Sequence, residues 1–380
     1  MVHSHNHEVK LDWLKLRLIP NIGSVSFCRL LKYFGSPSRV LAASQKELCQ
    51  VHGIGPQMAD NIVRKNFSSS PQKHLDAFDK MGAHMVTMED DEYPPLLRHI
   101  HAPPPILFVQ GSLWPCHNAA VAIVGSRKPT IYGQRVAEKL GQDLAAEQVA
   151  IISGLARGID SMAHNGALKA DGYTVGVLGC SLDYPYPREN IGLIREIAQR
   201  GAVISEFLIE TPPKPGLFPV RNRVISGLSR AVVVVEASLK SGSLITARHA
   251  LDQGRDVFAV PGPVSSNTSK GCHELLKQGA YLLGDIEDLR ENGILGQANP
   301  LHRIDAVPLA AQMRQSGQQA GLNLPEDSMK ILDLLSTEPI HIDEIIRQSG
   351  LSPQTVTALL VDLELEGLVD QTAGRNYIKF

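Results

Sequence analysis

The chain has 380 residues, of which 43% are hydrophobic and 20% are charged, and its formal net charge is -2. This length is too great for one ordinary hydrophobic core, and the composition excludes a disordered or fibrous protein. No apolar run approaches the roughly 18 residues that span a bilayer, and the polar start MVHSHNHEVK lacks the layout of a signal peptide. We therefore expect a globular protein of two or three domains, without membrane association and located in the cytoplasm.

Cysteine and histidine residues give no pattern that would indicate a disulfide framework or a metal site. The five cysteines are widely separated and form no C-x-x-C pair: Cys28, Cys49, Cys116, Cys180 and Cys272. We expect them to be reduced. His3, His5 and His7 alternate near the start, where side chains are more often solvated than bound to a metal. The sequence therefore predicts neither a metal nor another cofactor.

The first seventy residues are predicted to form short helices, with the sequences LDWLKLRLI, SVSFCRLLKYFG, QKELCQV and PQMADNIVRKN. Similar turns, Asn21-Ile22-Gly23 and Gly53-Ile54-Gly55, precede the second and fourth of these. In a helix-hairpin-helix unit, such a turn presents backbone N–H groups to a phosphate oxygen without reading the base sequence. Asn21 stands where a glycine is expected, so at most the second turn should be complete. Residues 8–70 are thus a helix-hairpin-helix or SAM-like domain, or a helical domain used only for packing.

From residue 119 the pattern changes to that of an α/β protein. Six apolar runs predict strands: VAIVG, VAIISG, TVGVLG, AVISEF, AVVVVEA and DVFAVPG. Helical segments such as YGQRVAEKLGQDLAAE, NIGLIREIAQRG and LITARHALDQG lie between them. This alternation indicates a parallel sheet with both faces covered, in which ligands bind beyond the carboxyl ends of the strands.

Four polar clusters follow the predicted strands: GSRKPTIYG, SGLARGID, the loop FPVRNR, and KSGSLITA. Each alone is a weak signal, since a Gly-rich turn is often only a tight connection. Together they place arginines, a lysine, an aromatic ring and helix amino termini along one edge, which is typical of a groove for single-stranded nucleic acid. The residues that these clusters contribute include Ser126, Lys128, Gly158, Arg223, Ser241, Gly242, Ser243 and Thr246.

The order of these motifs resembles one known family. GSR...YG, SGLARGIDSMAH, YP..N, SEF, FP.RNR.ISGLS, VVEA...SGSLITA..AL..GR.VFAVPG and GA follow one another between Tyr93 and Leu289, as in DprA, also called Smf, the DNA-processing protein of natural transformation. The resemblance implies an extended Rossmann-like domain, residues 75–290, that forms a homodimer, binds and protects single-stranded DNA and loads the RecA recombinase without catalysis of its own. It also implies a set of DNA contacts: Arg127, Gly154, Arg157, Lys214, Phe218, Arg221, Asn222 and Lys240.

Two other interpretations of the same segments are open. A nucleotide-binding enzyme of the phosphoribohydrolase type would also pair an arginine with an acidic strand end, and Glu236 follows AVVVV, but the run P-G-G-x-G-T of such enzymes is replaced by SGSLIT. Asp160 and His164 would then be candidates for acid–base chemistry, although a loop tether and a packed helix residue are simpler roles. A dinucleotide-dependent oxidoreductase needs G-x-G-x-x-G, whereas Gly125 is followed by SRKP.

The end of the chain is predicted to form a winged-helix domain. Residues 291–325 are rich in Gly, Gln, Asn and Pro and predict a linker. Residues 326–380 contain three helical patterns, the third with Ser352 as N-cap and Pro353 at its first position, and then LVDQTAGRNYIKF, which predicts two strands turning at Ala373 and Gly374. This segment has ten acidic and four basic residues, a net charge of -6, whereas residues 119–290 have a net charge of +2.

The acidic character of the winged helix leads to a prediction about the tail. Its third helix, residues 353–366, contains no Arg or Lys but carries Asp362, Glu364 and Glu366, while the wing offers only Arg375 and Lys379. Because this helix would repel phosphates, we expect the domain to bind protein, or simply to cap the chain, and not to read DNA. Truncation near Asn323 should leave the affinity for single-stranded DNA almost unchanged in a fluorescence anisotropy titration. A large loss of affinity in a truncated protein that keeps its oligomeric state would contradict this.

Overall fold

A computed structural model of the chain describes residues 2–113, 120–295, 326–336, 340–365, 369–372 and 376–379. The packing of its Cα atoms divides the chain into two compact units, Met1–Ala298 and Asn299–Phe380. The helices described in the first unit are α1 (Val2–Arg17), α2 (Ser24–Phe34), α3 (Pro37–Ala42), α4 (Gln45–Leu48), α5 (Pro56–Val63), α6 (Pro71–Met81), α7 (Pro95–Arg98), α8 (Ile131–Ala146), α9 (Ile159–Lys169), α10 (Ile191–Arg200), α11 (Leu217–Gly227), α12 (Ser243–Asp252), α13 (Lys270–Lys277) and α14 (Ile286–Glu291).

The strands of the first unit form one twisted layer with helices on both faces. They are β1 (Ala83–Thr87), β2 (Ile106–Gly111), β3 (Ala120–Val124), β4 (Ala150–Ser153), β5 (Thr174–Val177), β6 (Ala202–Ser205), β7 (Ala231–Val234), β8 (Asp256–Ala259) and β9 (Tyr281–Leu282). Their order is β1-β2-β6-β5-β4-β3-β7-β8-β9, with parallel pairing from β6 to β9 and antiparallel pairing at β1 and β2. The predicted α/β class is confirmed, and the six predicted strands are β3 to β8.

The chain order reverses at β3, which pairs with β4 on one side and with β7 on the other. The connections after β3 and β7 therefore leave the sheet in opposite directions and open a crevice between the two carboxyl ends. One face of the sheet packs on α8 and α9 through buried residues that include Val121, Ile123, Leu144 and Ile159. The other face packs on α11 and α12 through Val124, Val224, Val232 and Ala247. Both faces are thus covered, as the apolar strands require.

Helices α8 and α9 touch through their backbones. A Cβ atom on Gly141 would lie 2.3 Å from the carbonyl oxygen of Ala163, and one on Gly166 would lie 2.0 Å from that of Glu138. Only glycine fits at either position, because no real Cβ approaches a backbone atom so closely. The two helices begin just after the loops GSRKPT and SGLARG, so this contact also determines the distance between those loops.

The amino-terminal helices pack on the sheet through a core that includes Trp13, Phe27 and Phe78. The ring of Phe78 stacks on Phe108 of β2, with 4.7 Å between the centroids. Because these helices and the strands β2 and β6 share one core, the domain boundary between residues 70 and 75 stays a prediction.

Both turns of the helical region are formed, and our expectation for the first turn was wrong. Asn21 adopts φ 68 and Gly53 adopts φ 86, the left-handed conformation that asparagine tolerates better than most residues. The following isoleucines, Ile22 and Ile54, are both buried. Gly23 and Gly55 then begin α2 and α5 in the same extended conformation. Asn21 therefore replaces glycine without changing the course of the backbone.

The second unit contains α15 (Glu326–Leu334), β10 (Ile340–His341), α16 (Ile342–Ser349), α17 (Pro353–Leu365), β11 (Val369–Thr372) and β12 (Asn376–Lys379). Its strands pair in the order β10-β12-β11. The hydroxyl of Ser352 accepts a hydrogen bond from the backbone N–H of Thr355 at 3.2 Å, as expected of an N-cap. The predicted turn at Ala373 and Gly374, the side chains of Glu366 and Arg375, and linker residues 296–325 lie outside the described residues.

Among the described residues, no helix has the length and hydrophobicity needed to cross a membrane. The cysteines in the described part of the chain, Cys28, Cys49, Cys180 and Cys272, are free thiols, and Cys116 lies outside it. The described residues also contain no group of three His, Cys, Asp or Glu side chains that could hold a metal ion. The helix α1 includes His3, His5 and His7, whose side chains are outside the described set.

Candidate nucleic-acid interface

A cleft of about 870 Å³ opens at the carboxyl ends of β3 and β7, beside the amino-terminal turns of α11 and α12. Ten of the predicted contacts line it: Ser126, Arg127, Lys128, Phe218, Arg221, Asn222, Ser241, Gly242, Ser243 and Thr246. A neighbouring pocket of about 200 Å³ is lined by Gly154 and Arg157 and again by Arg127, Lys128, Phe218 and Arg221. The two spaces are adjacent because these four residues form the wall between them.

The loop after β3 carries two exposed cations at the mouth of the cleft. Arg127 and Lys128 are both exposed, and the backbone N–H of Lys128 donates to the hydroxyl of Ser126 at 3.1 Å. The guanidinium of Arg127 lies over the ring of Phe218, 5.3 Å from its centroid. A cation over an aromatic face is attracted by the ring quadrupole, and its N–H groups can still reach an anion. This loop can therefore hold a phosphate beside an aromatic surface.

Arg221 forms the floor of the cleft. Its side chain is 4% exposed, and its Nη1 donates to the carbonyl oxygens of Gly154 and Val177. Burial lowers the pKa of Arg221 to about 10, so the group is still charged at neutral pH. A Cβ atom on Gly154 would lie 2.4 Å from this guanidinium. Arg221 thus joins the ends of β4 and β5 and adds positive charge from below.

Asp160 holds the SGLARG loop from beneath. Its buried carboxylate accepts hydrogen bonds from the backbone N–H groups of Gly154 at 3.1 Å and Ala156 at 3.3 Å. Burial raises the pKa of Asp160, while the charge of Arg221 opposes the increase. Gly158, with φ 79, lets this loop approach the neighbouring one, since a Cβ there would lie 2.4 Å from the carbonyl oxygen of Ser126. Asp160 is therefore placed as the tether that the sequence suggested.

The segment FPVRNR is helical, and the prediction of a loop was wrong. It occupies the first turns of α11, where Pro219 is tolerated because the first turn needs no N–H donor. Phe218, Arg221 and Asn222 stand at i, i+3 and i+4 and so share the face that lines the cleft. Arg223 points elsewhere and forms an ion pair with Glu206, with both side chains largely buried. The predicted DNA contact at Arg223 is therefore not part of the cleft.

Tyr186 is a cleft residue that we did not predict as a contact. Its ring lies 5.8 Å from that of Phe218 and lines both spaces. The side chain is 38% exposed, so one aromatic surface faces solvent. Asn190 holds the same segment in place by donating to the carbonyl oxygen of Leu155 at 2.8 Å. The YP..N motif contained both residues, but the motif alone does not indicate that its tyrosine meets Phe218.

The amino terminus of α12 faces the cleft opposite Arg127. Ser241, Gly242, Ser243 and Thr246 line this side, and Gly242 provides no side-chain cap for the helix. The positive end of the helix dipole is therefore directed at the cleft. Asn222 fastens this turn by donating to the carbonyl oxygen of Gly242 at 3.3 Å.

The remaining predicted contacts lie at the edges. Lys214 and Lys240 are exposed and are next to the cleft residues Pro213, Pro215 and Ser241, without lining the cleft themselves. Arg157 is exposed and pairs with Glu189, whose side chain is 58% exposed. A surface ion pair of this kind is weak, so Arg157 can exchange its partner for a phosphate at small cost.

His164 lies in the interior, away from the cleft. Its side chain is fully buried, and its Nδ1 is 2.7 Å from the hydroxyl of Thr174. Burial lowers the pKa of His164 to about 3, and the charge of Arg221 adds to this effect. The described residues that line the two spaces do not include His164. A neutral imidazole without access to the cleft is a packed helix residue and not a general base.

Comparison with known proteins identifies the relatives of this architecture. The family model for DNA recombination-mediator protein A matches residues 84–293, and that for the DprA winged helix domain matches residues 316–375, which confirms the predicted winged helix. The chain is 34% identical to Protein Smf from Synechocystis sp., an alignment that covers 96% of this chain and 97% of that protein.

Two solved structures are each similar to more than half of this chain. DNA processing protein A from Streptococcus pneumoniae has a TM-score of 0.65 and 34% identity, covering 73% of this chain and 95% of that one. A structure concerned with the unique single-stranded DNA binding mode of DNA processing protein A from Helicobacter pylori has a TM-score of 0.50 and 33% identity, covering 56% and 96%.

The position of His164 leads to a prediction about pH and stability. Free histidine binds a proton near pH 6.5, whereas in the folded chain the pKa of His164 is about 3. The unfolded chain therefore gains protons first as the pH falls, and between pH 6.5 and 5 the free energy of unfolding should decrease by about 2 kcal/mol through this group. Denaturant titrations should show a shallower pH dependence for His164→Leu than for the parent. The same substitution at the exposed His99 should keep the parent's slope, and equal slopes for all three proteins would contradict the assignment.

Proposed function

This chain belongs to the DprA and Smf family of DNA recombination mediators, and on that premise we propose that its cleft binds single-stranded DNA. The observation that carries the proposal is the convergence of exposed cations, an aromatic pair and an open helix amino terminus on one sheet edge. The relative from Helicobacter pylori is described by its single-stranded DNA binding mode, which supports the same choice of ligand.

The geometry favours a single strand over a duplex. Phosphates would bind Arg127 and Lys128 on one side and the amino terminus of α12 on the other, with the electrostatic contribution common to such grooves. The rings of Phe218 and Tyr186 line the same cleft and provide a surface for unstacked bases. A duplex keeps its bases stacked on each other and cannot offer them to these rings.

An enzymatic role has less support. Of the two candidate acid–base residues, His164 is buried away from the cleft, and Asp160 lines the cleft but its carboxylate is engaged with two backbone N–H groups. Glu236, the acidic strand end that a phosphoribohydrolase would use, is 3% exposed and accepts hydrogen bonds from Thr130. The protein is therefore better suited to hold a strand than to cleave one, and we propose that it acts without catalysis in the cytoplasm.

We further propose that the protein forms a homodimer, protects the bound strand and loads a RecA recombinase onto it. The edge strand β9 supports self-association, because Tyr281 and Leu282 are 44% and 54% exposed there and nearby Val264 is 84% exposed. An apolar edge strand without a neighbour on one side is a natural site for pairing with a second copy. Two clefts in one dimer would hold a longer stretch of strand for transfer.

Binding is expected to depend on Arg127 and on strandedness. Loss of one charged hydrogen bond to phosphate should cost roughly 1.5 to 3 kcal/mol, so Arg127→Ala should weaken binding of a fluorescent oligodeoxythymidine by about tenfold or more. The affinity of the parent should decrease with salt concentration and should exceed its affinity for a duplex of equal length. Anisotropy titrations at several salt concentrations measure both effects.

Arg230→Ala is the matched control for this experiment. Arg230 is also exposed, but it precedes β7 and so lies at the amino edge of the strands, opposite the cleft. Its replacement should leave the affinity unchanged. Equal affinity for duplex and single strand would argue against the proposed ligand, and an Arg127→Ala protein that melts and binds like the parent would show that the site is elsewhere.

The proposed dimer edge has a separate test. Leu282→Glu places a charge on β9, where a second copy would have to desolvate it, and should reduce the mass measured by light scattering from twice the chain mass to that of one chain. Leu251→Glu, at a side chain that is 57% exposed on α12, is the control and should stay dimeric. A Leu282→Glu protein that stays dimeric would rule out this edge.

A further inference from the structure

The amino terminus of α8 is occupied by a carboxylate of the chain itself. In sheets of this topology, the helix that follows the first parallel strand usually presents its open amino terminus to a nucleotide phosphate. Here the carboxylate of Glu236, which follows β7, accepts hydrogen bonds from both the backbone N–H and the hydroxyl of Thr130, the N-cap of α8. The backbone contact measures 2.9 Å. An internal anion therefore stands where an external one would bind.

Two further donors of this turn are also engaged. The N–H of Gly133 donates to the hydroxyl of Thr130 at 3.1 Å, and that of Gln134 donates to its carbonyl oxygen at 3.0 Å. Gly133 has no side chain, and a Cβ there would lie 2.5 Å from the carboxyl carbon of Glu236. The carboxylate thus fills the space beside the helix and holds its N-cap residue. The described residues that line the cleft include neither Thr130 nor Glu236.

The amino termini of α8 and α12 differ, and this difference determines which phosphate ligand the cleft can accept. The turn before α12 lines the cleft and has no charged cap, since the N–H of Ser243 donates only to the neutral hydroxyl of Ser241 at 3.4 Å, whereas the turn before α8 is held by the carboxylate of Glu236. A pyrophosphate carries more negative charge than a phosphodiester and would meet the carboxylate of Glu236 at close range. A phosphodiester of the strand can instead bind at the side of the loop GSRKPT, where Arg127 and Lys128 are exposed.

We infer that Glu236 is a specificity-determining residue, which closes the amino terminus of α8 to the pyrophosphate of free nucleotides and leaves the cleft to a DNA strand. The inference rests on the proposed function, since it explains how a nucleotide-type fold accepts polymer in preference to monomer. Glu236 acts by exclusion and does not contact the strand. Replacement of Glu236 should therefore allow free nucleotides to bind without preventing the binding of a DNA strand.

Two variants of the full chain distinguish the effect of the charge of Glu236 from the effect of its volume. Glu236→Gln removes the charge and can keep a hydrogen bond to Thr130, whereas Glu236→Ala removes both the charge and the volume. We expect isothermal titration calorimetry to show that Glu236→Ala binds ADP and inorganic pyrophosphate at least about tenfold more tightly than the parent, with a smaller gain for Glu236→Gln. Adenosine, which lacks phosphate, should show no gain. The affinity for oligodeoxythymidine should stay within about twofold of the parent.

The outcomes distinguish this inference from the proposed function. If the parent fails to bind oligodeoxythymidine, the proposed function fails. If the parent binds it but a folded Glu236→Ala protein gains no affinity for pyrophosphate or ADP, the inference alone is overturned. Loss of oligonucleotide affinity in both variants would also overturn it, because Glu236 would then belong to the strand site. Should Glu236→Ala melt below the assay temperature, Glu236→Gln decides, and no gain in that variant counts against the inference.

Discussion

The buried guanidinium of Arg221 is the contact on which the cleft depends. A charge in the interior is costly unless it is hydrogen-bonded and balanced; here Nη1 donates to two carbonyl oxygens and nearby Asp160 balances the charge, while the buried Nε has no partner among the described residues. Because those oxygens belong to the ends of β4 and β5, the same side chain also fixes α11 against the sheet. Phe218 and Asn222 then reach the cleft from one helix face. The positions of the loops, of the cleft floor and of the aromatic side chains therefore all depend on this one side chain.

The distribution of charged residues in this protein is informative, whereas its net charge is not. A chain with a net charge of -2 would not suggest a nucleic-acid ligand, yet the exposed Arg127 and Lys128 line the cleft at the carboxyl edge of the sheet, and residues 326–380 alone carry a net charge of -6. The buried acidic groups of the α/β unit are engaged within the fold. Asp160 holds a loop, Glu206 balances Arg223, and Glu236 caps a helix. Of these three, only Asp160 lines the cleft, where its carboxylate is buried beneath the loop.

The sequence was sufficient for the features that have strong local signals. Continuous apolar runs located β3 to β8, and glycine-rich strand ends located most of the cleft. Sequence analysis failed for the features whose structure depends on long-range packing. The antiparallel strands β1 and β2 depend on pairing over twenty residues apart, which no periodicity reports. FPVRNR was predicted to be a loop but forms the first turns of α11, and only this helix shows that Arg223 faces away from Arg221. Asn21 was misjudged because its backbone angle depends on the turn around it.

The glycine contact between α8 and α9 has a consequence for how a strand is received. With Gly141 and Gly166 against opposing carbonyls, the helices cannot slide or separate without breaking a close-packed interface. The loops that precede them are therefore parts of a single rigid frame. A flexible polymer that settles on such a frame loses its own conformational freedom but demands little from the protein. In the proposed function, the cleft would therefore act as a template that imposes one backbone spacing on whichever bases the strand carries.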